Sequence, residues 1–176
     1  MSKLLIVVDM QNDFIDGALG TPEAQNIVEN VEEKIKAYDK DNELVFFTAD
    51  THTSDYLNTQ EGKNLPVKHC IKGTHGFEIS EKLTRPEGAP VIEKDTFGSK
   101  ELGIMLMELV RAEEPLTEVM FVGLCTDICV ISNALIVKAF LPEVKISVDS
   151  NCCAGVTPQS HETALAAMRT CQIDVI

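Results

Sequence analysis

Residues 118–140, EVMFVGLCTDICVISNALIVKAF, contain the strand-to-helix transition that decides the fold. Glu118–Val122 is short and almost wholly apolar, as expected of a strand that is buried on both faces. After a glycine turn, Asp127–Phe140 is again almost wholly apolar, which predicts a buried helix that Thr126 or Asp127 would cap. A buried strand that leads directly into a buried helix is typical of an α/β protein with a parallel sheet.

The same alternation of strand and helix extends along the whole chain. Five further segments have the composition of buried strands: Leu4–Val8, Leu44–Thr48, Pro90–Glu93, Lys145–Val148 and Gln172–Ile176. Three more segments are predicted helices: Ala24–Lys40, Lys100–Arg111 and Pro158–Thr170. This order predicts one domain over residues 1–176, with helices on both faces of a parallel sheet. The irregular stretch from Asp50 to about Thr74 is unusually long for a connection, so we expect it to be functional.

Composition limits the classes of function. The chain has 176 residues, of which 15 are basic and 28 acidic, giving a formal net charge of −13. A surface this acidic repels phosphate, so we expect neither nucleic acid nor an anionic membrane as a partner. No apolar run approaches the roughly 20 residues of a membrane helix, and no signal-peptide pattern is present. We therefore expect a cytoplasmic protein whose six cysteines are not paired for stability.

Charged or nucleophilic residues follow five consecutive predicted strands. They are Asp9, Asp50, Lys94, the turn over residues 123–129, and Asp149. Ligands of open parallel sheets bind outside the carboxyl ends of the strands. The sequence therefore predicts the functional site at this edge of the sheet.

Cys129 is the strongest candidate nucleophile, because it would lie in the first turn of the helix after the fourth strand. The helix dipole lowers the pKa of a thiol there, and backbone N–H groups could hold an oxyanion. Asp9 could act as the base, and Lys94 could hold the carboxylate and the sulfur in register. Cys125 is an alternative nucleophile. Cys129 could also be a small buried side chain, and Asp9 and Lys94 an ion pair that supports the sheet.

A second cluster of potential ligands lies in the irregular stretch. Asp50 and His52 flank one residue, so both side chains can face the same way from an extended segment, and Glu61 and His69 follow. Carboxylate and imidazole groups together suit zinc, manganese or iron. Two histidines and two carboxylates with open positions would make a catalytic or ligand-orienting metal site. The alternative is a solvated loop with incidental histidines.

Several motifs together resemble the isochorismatase-like cysteine hydrolase family, which includes nicotinamidases and related amidases. The motifs are VVDMQNDF (7–14), TADTH (48–52), LPVKHC (65–70), EKDTFGS (93–99) and GLCTDICV (123–130). They occur in the family's order and at its usual spacing, nearly from end to end of the chain. The resemblance implies a Rossmann-like, three-layer α/β/α fold with a six-stranded parallel sheet in the order 3-2-1-4-5-6.

The resemblance also implies residues of the active site. Cys129 matches the nucleophile, Asp9 the base and Lys94 the third member of a Cys-Asp-Lys triad. The peptide bond between Leu124 and Cys125 matches a cis bond of the family. That bond would aim the N–H of Cys125, together with that of Cys129, at an oxyanion. The predicted substrate pocket is bordered by Phe14, Leu65 and Leu124.

The expected metal ligands depart from the usual nicotinamidase set of one Asp and three His. Matching positions are Asp50, His52 and His69, whereas Tyr56 or Asn58 stands where the third His would fall. We expect Glu61 to replace that histidine. The predicted cofactor is a divalent metal, with zinc expected first and manganese or iron as alternatives.

The predicted function is cysteine-dependent hydrolysis of a small carboxamide, with a thioester intermediate and release of ammonia. Leu65 stands where nicotinamidases often carry Trp, so a small amide other than nicotinamide is an alternative substrate. A metal-free N-carbamoyl or ureide amidase is a second possibility. Cys129 argues against vinyl ether cleavage of the isochorismatase type, and the intact triad argues against a non-enzymatic ligand- or metal-binding relative. By analogy with relatives, we expect a homo-oligomer.

Overall fold

The structure of the protein is a computed structural model, which describes residues 2–112 and 115–176. Six parallel strands form one sheet in the order β3-β2-β1-β4-β5-β6. The strands are β1 (Ser2–Val8), β2 (Leu44–Asp50), β3 (Val91–Lys94), β4 (Leu116–Leu124), β5 (Lys145–Ala154) and β6 (Asp174–Val175). The predicted fold class and strand order are confirmed.

Helices cover both faces of this sheet. The α-helices of the described residues are α1 (Asn12–Ile15), α2 (Pro22–Asn26), α3 (Val28–Lys40), α4 (Gln60–Asn64), α5 (Lys100–Arg111), α6 (Ile131–Phe140) and α7 (Pro158–Thr170). Short 3₁₀-helices lie at Tyr56–Asn58 and His75–Phe77, and one π-helical turn at Thr126–Val130. No helix in residues 2–112 or 115–176 has the length and apolar character needed to cross a membrane.

Two apolar cores explain why the strands read as continuous apolar runs. Successive side chains of a strand point to opposite faces. Leu4, Ile6 and Val8 accordingly pack in a core with residues of α5, α6 and α7. Leu5 and Val7 pack in a second core with residues of α3 on the opposite face. The sheet therefore lies between two helical layers, as the family resemblance implied.

Most predicted elements differ from the structure by a few residues at their ends, and one helix and one strand differ more. The segment predicted as one helix over Ala24–Lys40 forms α2 and α3, which meet at Ile27. The N–H of Ile27 donates to the carbonyl of Gln25 rather than four residues back, so the helical ladder is interrupted there. Thr21 caps α2 by accepting the N–H of Ala24 at 3.0 Å, which makes that helix begin earlier than predicted.

β5 is longer than predicted, because its pairing with β4 resumes beyond an irregularity in register and joins Gly123 to Cys153. Asp149 therefore lies within a strand rather than after one. Its carboxylate pairs with Lys34 on α3 at 2.7 Å. Asp9, Asp50 and Lys94 do lie at the carboxyl ends of β1, β2 and β3, as predicted.

Candidate active site

Cys129, Asp9 and Lys94 meet at the carboxyl edge of the sheet. The Nζ of Lys94 lies 2.6 Å from Oδ2 of Asp9 and 3.5 Å from Sγ of Cys129. All three residues are buried, and the side chains of Lys94 and Asp9 are 1% and 0% exposed. A lysine buried this deeply is rare unless it is paired. The structure thus brings together the three residues that the sequence assigned to a triad.

The backbone aims Asp9 toward this group. Asp9 has a φ of +47°, in the left-handed region that few residues other than glycine adopt. Its N–H donates to the carbonyl of Thr48 at 3.2 Å, and the Thr48 hydroxyl donates to Oδ1 of Asp9 at 2.6 Å. One carboxylate oxygen is therefore held by Thr48, while the other faces Lys94.

Burial and charge set the protonation of these groups. Burial and the neighbouring charge of Asp9 raise the pKa of Cys129 well above its ordinary value, although Lys94 opposes them. Burial also raises the pKa of Asp9. Burial lowers the pKa of Lys94, but Asp9 and Cys129 outweigh it, so the pKa of Lys94 is raised. In the free protein, burial and the charge of Asp9 therefore outweigh the effect of Lys94, which favours the thiolate.

The turn that carries Cys129 is a π-helical turn over Thr126–Val130. The N–H groups of Ile128 and Val130 both donate to the carbonyl of Cys125, at 3.1 and 3.0 Å. The peptide bond between Leu124 and Cys125 is cis, as the resemblance implied. Gly123 begins the turn with a φ of +115°, and a Cβ there would lie 2.2 Å from the carbonyl oxygen of Val8. Only glycine lets this turn approach the end of β1, where Asp9 follows.

The predicted capping of this helix by Thr126 or Asp127 is wrong. No side chain caps the turn. The Thr126 hydroxyl instead lies 2.8 Å from Nδ1 of His161 on α7, and the Asp127 carboxylate accepts the N–H of Val156 at 3.1 Å. Both side chains thus connect the turn to α7 and to the segment before it.

Asp50, His52 and His69 form a compact, buried group of potential metal ligands, whose donor atoms lie within 4.8 Å of one another. Oδ2 of Asp50 is 2.9 Å from Nε2 of His52 and 3.4 Å from Nε2 of His69. Nε2 of His52 is buried without a hydrogen-bond partner among the described residues. His69 donates from Nδ1 to the carbonyl of Val67 at 2.8 Å, which leaves the lone pair of its Nε2 facing the group. Such a donor set fits a divalent cation.

Glu61 lies at the rim of this group. It is on α4, and its Oε1 is 3.5 Å from Nε2 of His52 and 3.8 Å from Nε2 of His69. Burial lowers the pKa of His52, but the carboxylates of Asp50 and Glu61 outweigh it and raise that pKa to about 9. Glu61 thus lies within 3.8 Å of both imidazoles but outside the compact group of Asp50, His52 and His69, and its role as the fourth ligand stays a prediction.

Tyr56 takes no ligand position. Its fully buried ring packs against the rings of His52 and His69, with centroids 4.6 and 4.9 Å away. Its hydroxyl donates to the carbonyl of Leu65 at 3.0 Å. Asn58 points elsewhere and donates to the carboxylate of Asp55. Tyr56 thus supports the two imidazoles by packing.

Two distant parts of the irregular stretch are joined by backbone hydrogen bonds. The N–H of His52 donates to the carbonyl of Cys70 at 2.9 Å, and the N–H of Lys72 donates to the carbonyl of His52 at 2.9 Å. The carboxylate of Asp13 accepts the N–H of Cys70 at 2.8 Å. These contacts bring His69 beside His52.

Asp50 connects the group of Cys129, Asp9 and Lys94 with the group of potential metal ligands. Its Oδ1 lies 3.3 Å from Nζ of Lys94, while its Oδ2 faces the imidazoles. Burial raises the pKa of Asp50, but His52, His69 and Lys94 outweigh it and hold that pKa far below its usual range. The buried side chain of Gln11 accepts the N–H of Asp50 at 2.7 Å and donates to its carbonyl at 2.8 Å. Gln11 thereby fixes the end of β2.

A cavity of about 220 Å³ opens beside Cys129. Its lining includes the predicted Phe14 and Leu65, with Cys125, Phe97 and Ile128, and it reaches Asp50, Glu61 and His69 of the metal group. Leu124, which was predicted to border the pocket, is 1% exposed and packs in the core with α3 instead.

Sequence reasoning missed several buried polar residues that hold the site: Gln11, Thr48 and Asn133. Thr48 was readable as a polar residue near the end of an apolar strand. The other two make hydrogen bonds to segments 34 and 39 residues away, and local sequence carries no signal for such contacts.

Comparison with known proteins supports this arrangement. Residues 3–176 match the family described as the isochorismatase domain. The pyrazinamidase of Pyrococcus horikoshii, solved in complex with zinc, is 28% identical with a TM-score of 0.86, over 100% of this chain and 99% of that chain. The nicotinamidase/pyrazinamidase of Bacillus subtilis is 28% identical with a TM-score of 0.82, over 99% of each chain. N-carbamoylsarcosine amidase of Thermoplasma acidophilum is 28% identical with a TM-score of 0.80, over 99% of this chain and 95% of that chain.

Proposed function

Because the chain belongs to the isochorismatase family, we propose that it is a cysteine-dependent amidohydrolase that releases ammonia from a small carboxamide, as nicotinamidases do. The observation that carries the proposal is the buried contact of Cys129 with the Lys94–Asp9 pair beside the cavity. A buried thiol, carboxylate and ammonium together can activate a nucleophile and move a proton. The similarity to solved amidases over nearly the whole chain supports the same reaction class.

Proton transfer begins with Asp9. Its Oδ2 accepts the proton of the Cys129 thiol, and the ammonium of Lys94 stabilises the thiolate that forms. Sγ then attacks the carbonyl carbon of the amide. Asp9 returns the proton to the amide nitrogen, the C–N bond breaks, and ammonia leaves a thioester on Cys129.

Hydrolysis of the thioester regenerates the protein. Asp9 accepts a proton from water as the water oxygen attacks the thioester carbonyl. The C–S bond then breaks, the thiolate of Cys129 takes the proton back from Asp9, and the product leaves as a carboxylic acid that loses its proton to solvent. In both steps we assign the oxyanion to the backbone N–H groups of Cys125 and Cys129. Cys125 thus acts through its backbone and Cys129 through its sulfur.

We propose that Asp50, His52 and His69 hold a divalent metal, with Glu61 as a fourth ligand. Zinc fits this donor set, and manganese or iron are the alternatives. When bound, the metal supplies an electrophilic contact that orients a heteroatom of the substrate, such as a ring nitrogen. The wall formed by Phe14 and the other apolar residues of the cavity then keeps the amide beside Cys129.

The proposal is tested by ammonia release from nicotinamide, pyrazinamide and small ureides, with and without added zinc, manganese and iron. Replacing the nucleophile (Cys129→Ala) should abolish release, whereas Cys125→Ala should retain most of it, because only the backbone of Cys125 is required. Full activity of Cys129→Ala together with loss in Cys125→Ala would show that the nucleophile is Cys125.

An N-carbamoyl or ureide amidase is the second candidate. Two observations favour it: the similarity to N-carbamoylsarcosine amidase, and Leu65 in place of a tryptophan that could stack on a pyridine. The buried ligand group of Asp50, His52 and His69 favours the metal-assisted amidase instead. Hydrolysis of a ureide by the metal-free protein would show that it is a ureide amidase.

A further inference from the structure

Asn133 links two segments that border the catalytic cavity. It lies on α6 and is fully buried. Its amide nitrogen donates to the carbonyl of Cys129 at 2.8 Å and to the carbonyl of Phe97 at 3.1 Å. Its amide oxygen accepts the N–H of Ser99 at 2.9 Å. Both amide hydrogens and the carbonyl oxygen of the side chain are therefore bonded.

The segment on the other side of these bonds forms one wall of the cavity. Phe97 lines the cavity beside Cys129 and also a neighbouring cavity of about 690 Å³, and it is 47% exposed. Its neighbour Gly98 lies against α6, where a Cβ would come within 2.5 Å of Cδ1 of Ile136. The position of Phe97 thus depends on how its backbone is fixed to α6, and Asn133 bonds the residues on both sides of Gly98.

The helical stretch accounts for only one of the three hydrogen bonds of Asn133, the bond to the carbonyl of Cys129 four residues back. Asn133 is the third residue of α6, directly after the π-helical turn, and asparagine is a weak helix former because its side chain competes for backbone groups. A buried amide is tolerated only when its polar atoms are satisfied. At Asn133 that satisfaction comes largely from the Phe97–Ser99 segment.

We infer that Asn133 is a positioning residue that holds the Phe97 wall at a fixed distance from Cys129 and thereby limits the size of the amide that reaches the thiol. The inference rests on the proposed function in taking Cys129 as the reacting group. The cavity that this wall borders has a volume of about 220 Å³. Small planar amides would be accepted and amides with bulky substituents excluded.

The test compares alkylation of Cys129 by a small reagent, iodoacetamide, and by a bulkier one, N-benzyliodoacetamide. Rates are followed by mass spectrometry with fragment ions that separate Cys129 from Cys125. Asn133→Ala removes the hydrogen bonds that hold the Phe97–Ser99 segment. The rate of alkylation by N-benzyliodoacetamide, divided by the rate with iodoacetamide, should therefore rise about tenfold, the size of effect by which hydrophobic pockets discriminate ligands that differ by one methylene group. The ratio of kcat/KM for bulky and small amides should move in the same direction.

Two further variants keep the test decisive. Asn133→Thr can still donate to the carbonyl of Cys129 one turn back but lacks the amide that bonds the Phe97–Ser99 segment, so it should shift the ratio as alanine does. If Asn133→Ala does not fold, the labelling ratio of Asn133→Thr still tests the role of Asn133. Val137→Ala removes a buried apolar side chain from the same helix. It should lower stability and leave the labelling ratio unchanged.

The outcomes separate this inference from the proposed function. An unchanged ratio in both Asn133 variants, or an equal shift in Val137→Ala, would overturn the role of Asn133 even in an active amidase. A shifted ratio in a protein that releases ammonia from no amide would leave the role standing and reject the proposed function.

Discussion

Asp9 acts on Cys129 in two opposing ways. As a base it can accept the thiol proton during turnover, but as a buried neighbouring charge it raises the pKa of Cys129 and disfavours the thiolate in the free protein. Lys94 lowers that pKa and is held 2.6 Å from Asp9. The reactivity of the free thiol and the rate of turnover should therefore respond differently to the loss of Asp9.

The variant Asp9→Asn keeps the shape of the side chain and removes its charge. Iodoacetamide should label Cys129 faster near neutral pH, because Lys94 then faces the thiolate without a competing carboxylate. Ammonia release should fall by about 10²- to 10⁴-fold, the usual contribution of a general acid–base. Both quantities can be measured on one preparation, by mass spectrometry and by an ammonia assay.

Asp149→Asn is the matched control, since Asp149 is also a buried carboxylate paired with a lysine, Lys34 at 2.7 Å. It should change neither labelling nor turnover. Slower labelling in Asp9→Asn would contradict the argument and would mean that Asp9 already activates the thiol in the free protein.

At the level of elements, hydrogen bonds to an ionised carboxylate connect α3 to the loop that leads to β3. The carboxylate of Glu32 accepts the N–H and the hydroxyl of Thr84, both at 2.6 Å. Burial raises the pKa of Glu32, but the two bonds from Thr84 outweigh it and lower that pKa below its ordinary value of 4.5. The contact should therefore stabilise the folded protein in a pH-dependent way.

The direction in which this stability changes with pH follows from proton linkage. A group whose pKa is lowered by folding adds stability above its unfolded pKa, and that stability is lost as the pH falls through the folded pKa. Thr84→Val removes one of the two bonds to Glu32. It should reduce the free energy of unfolding by about 1 kcal/mol near neutral pH, a typical value for one hydrogen bond.

The reduction should disappear well below the unfolded pKa of Glu32, as urea unfolding at neutral and acidic pH would show. Thr163→Val is the control, because the Thr163 hydroxyl donates to an uncharged acceptor, the carbonyl of Gln159, at 2.9 Å. Its effect should not change with pH. A Thr84→Val effect of equal size at both pH values would contradict the linkage argument.

Elements with an apolar period could be predicted from sequence, and the parts of elements that could not be predicted have physical causes. The strands were readable because both faces of the sheet are covered, and the strand order came from the family resemblance. The end of β5 was not readable, since it depends on pairing of Cys153 with Gly123 beyond an irregularity. The π-helical turn at Thr126–Val130 could not be predicted either, because an apolar run does not distinguish a π-helical turn from an α-helix.

The residues of the candidate site likewise divide into those that the sequence identified and those that it did not. Reactive groups such as Cys129 and His52 were identified because their chemistry is unusual at strand ends. Gln11 and Asn133 were missed, because an amide that bonds the backbone of a distant segment looks like any surface amide in sequence. Their burial, which only the structure shows, is what marks them.

At the scale of the whole molecule, the parallel sheet gathers residues from four strand ends into two adjoining groups. Asp50 belongs to both, with one oxygen toward Lys94 and the other toward His52 and His69. Three buried groups thus converge on a single carboxylate. These ligands come together only in the folded chain, so we expect metal binding to stabilise the entire fold.

Zinc at 100 times its Kd should stabilise the folded protein by about 2.7 kcal/mol, because a ligand that binds only the native state shifts the unfolding equilibrium. For a chain of this size that corresponds to a rise in Tm of roughly 5 to 10 °C, measurable by calorimetry and reversible with a chelator. His69→Ala should lose most of the rise. His75→Ala should keep it, since the His75 side chain is 83% exposed and contacts only the surface at Glu78 and Asn12. Equal shifts in both variants would assign the binding to the acidic surface, whose formal charge is −13, rather than to the buried ligands.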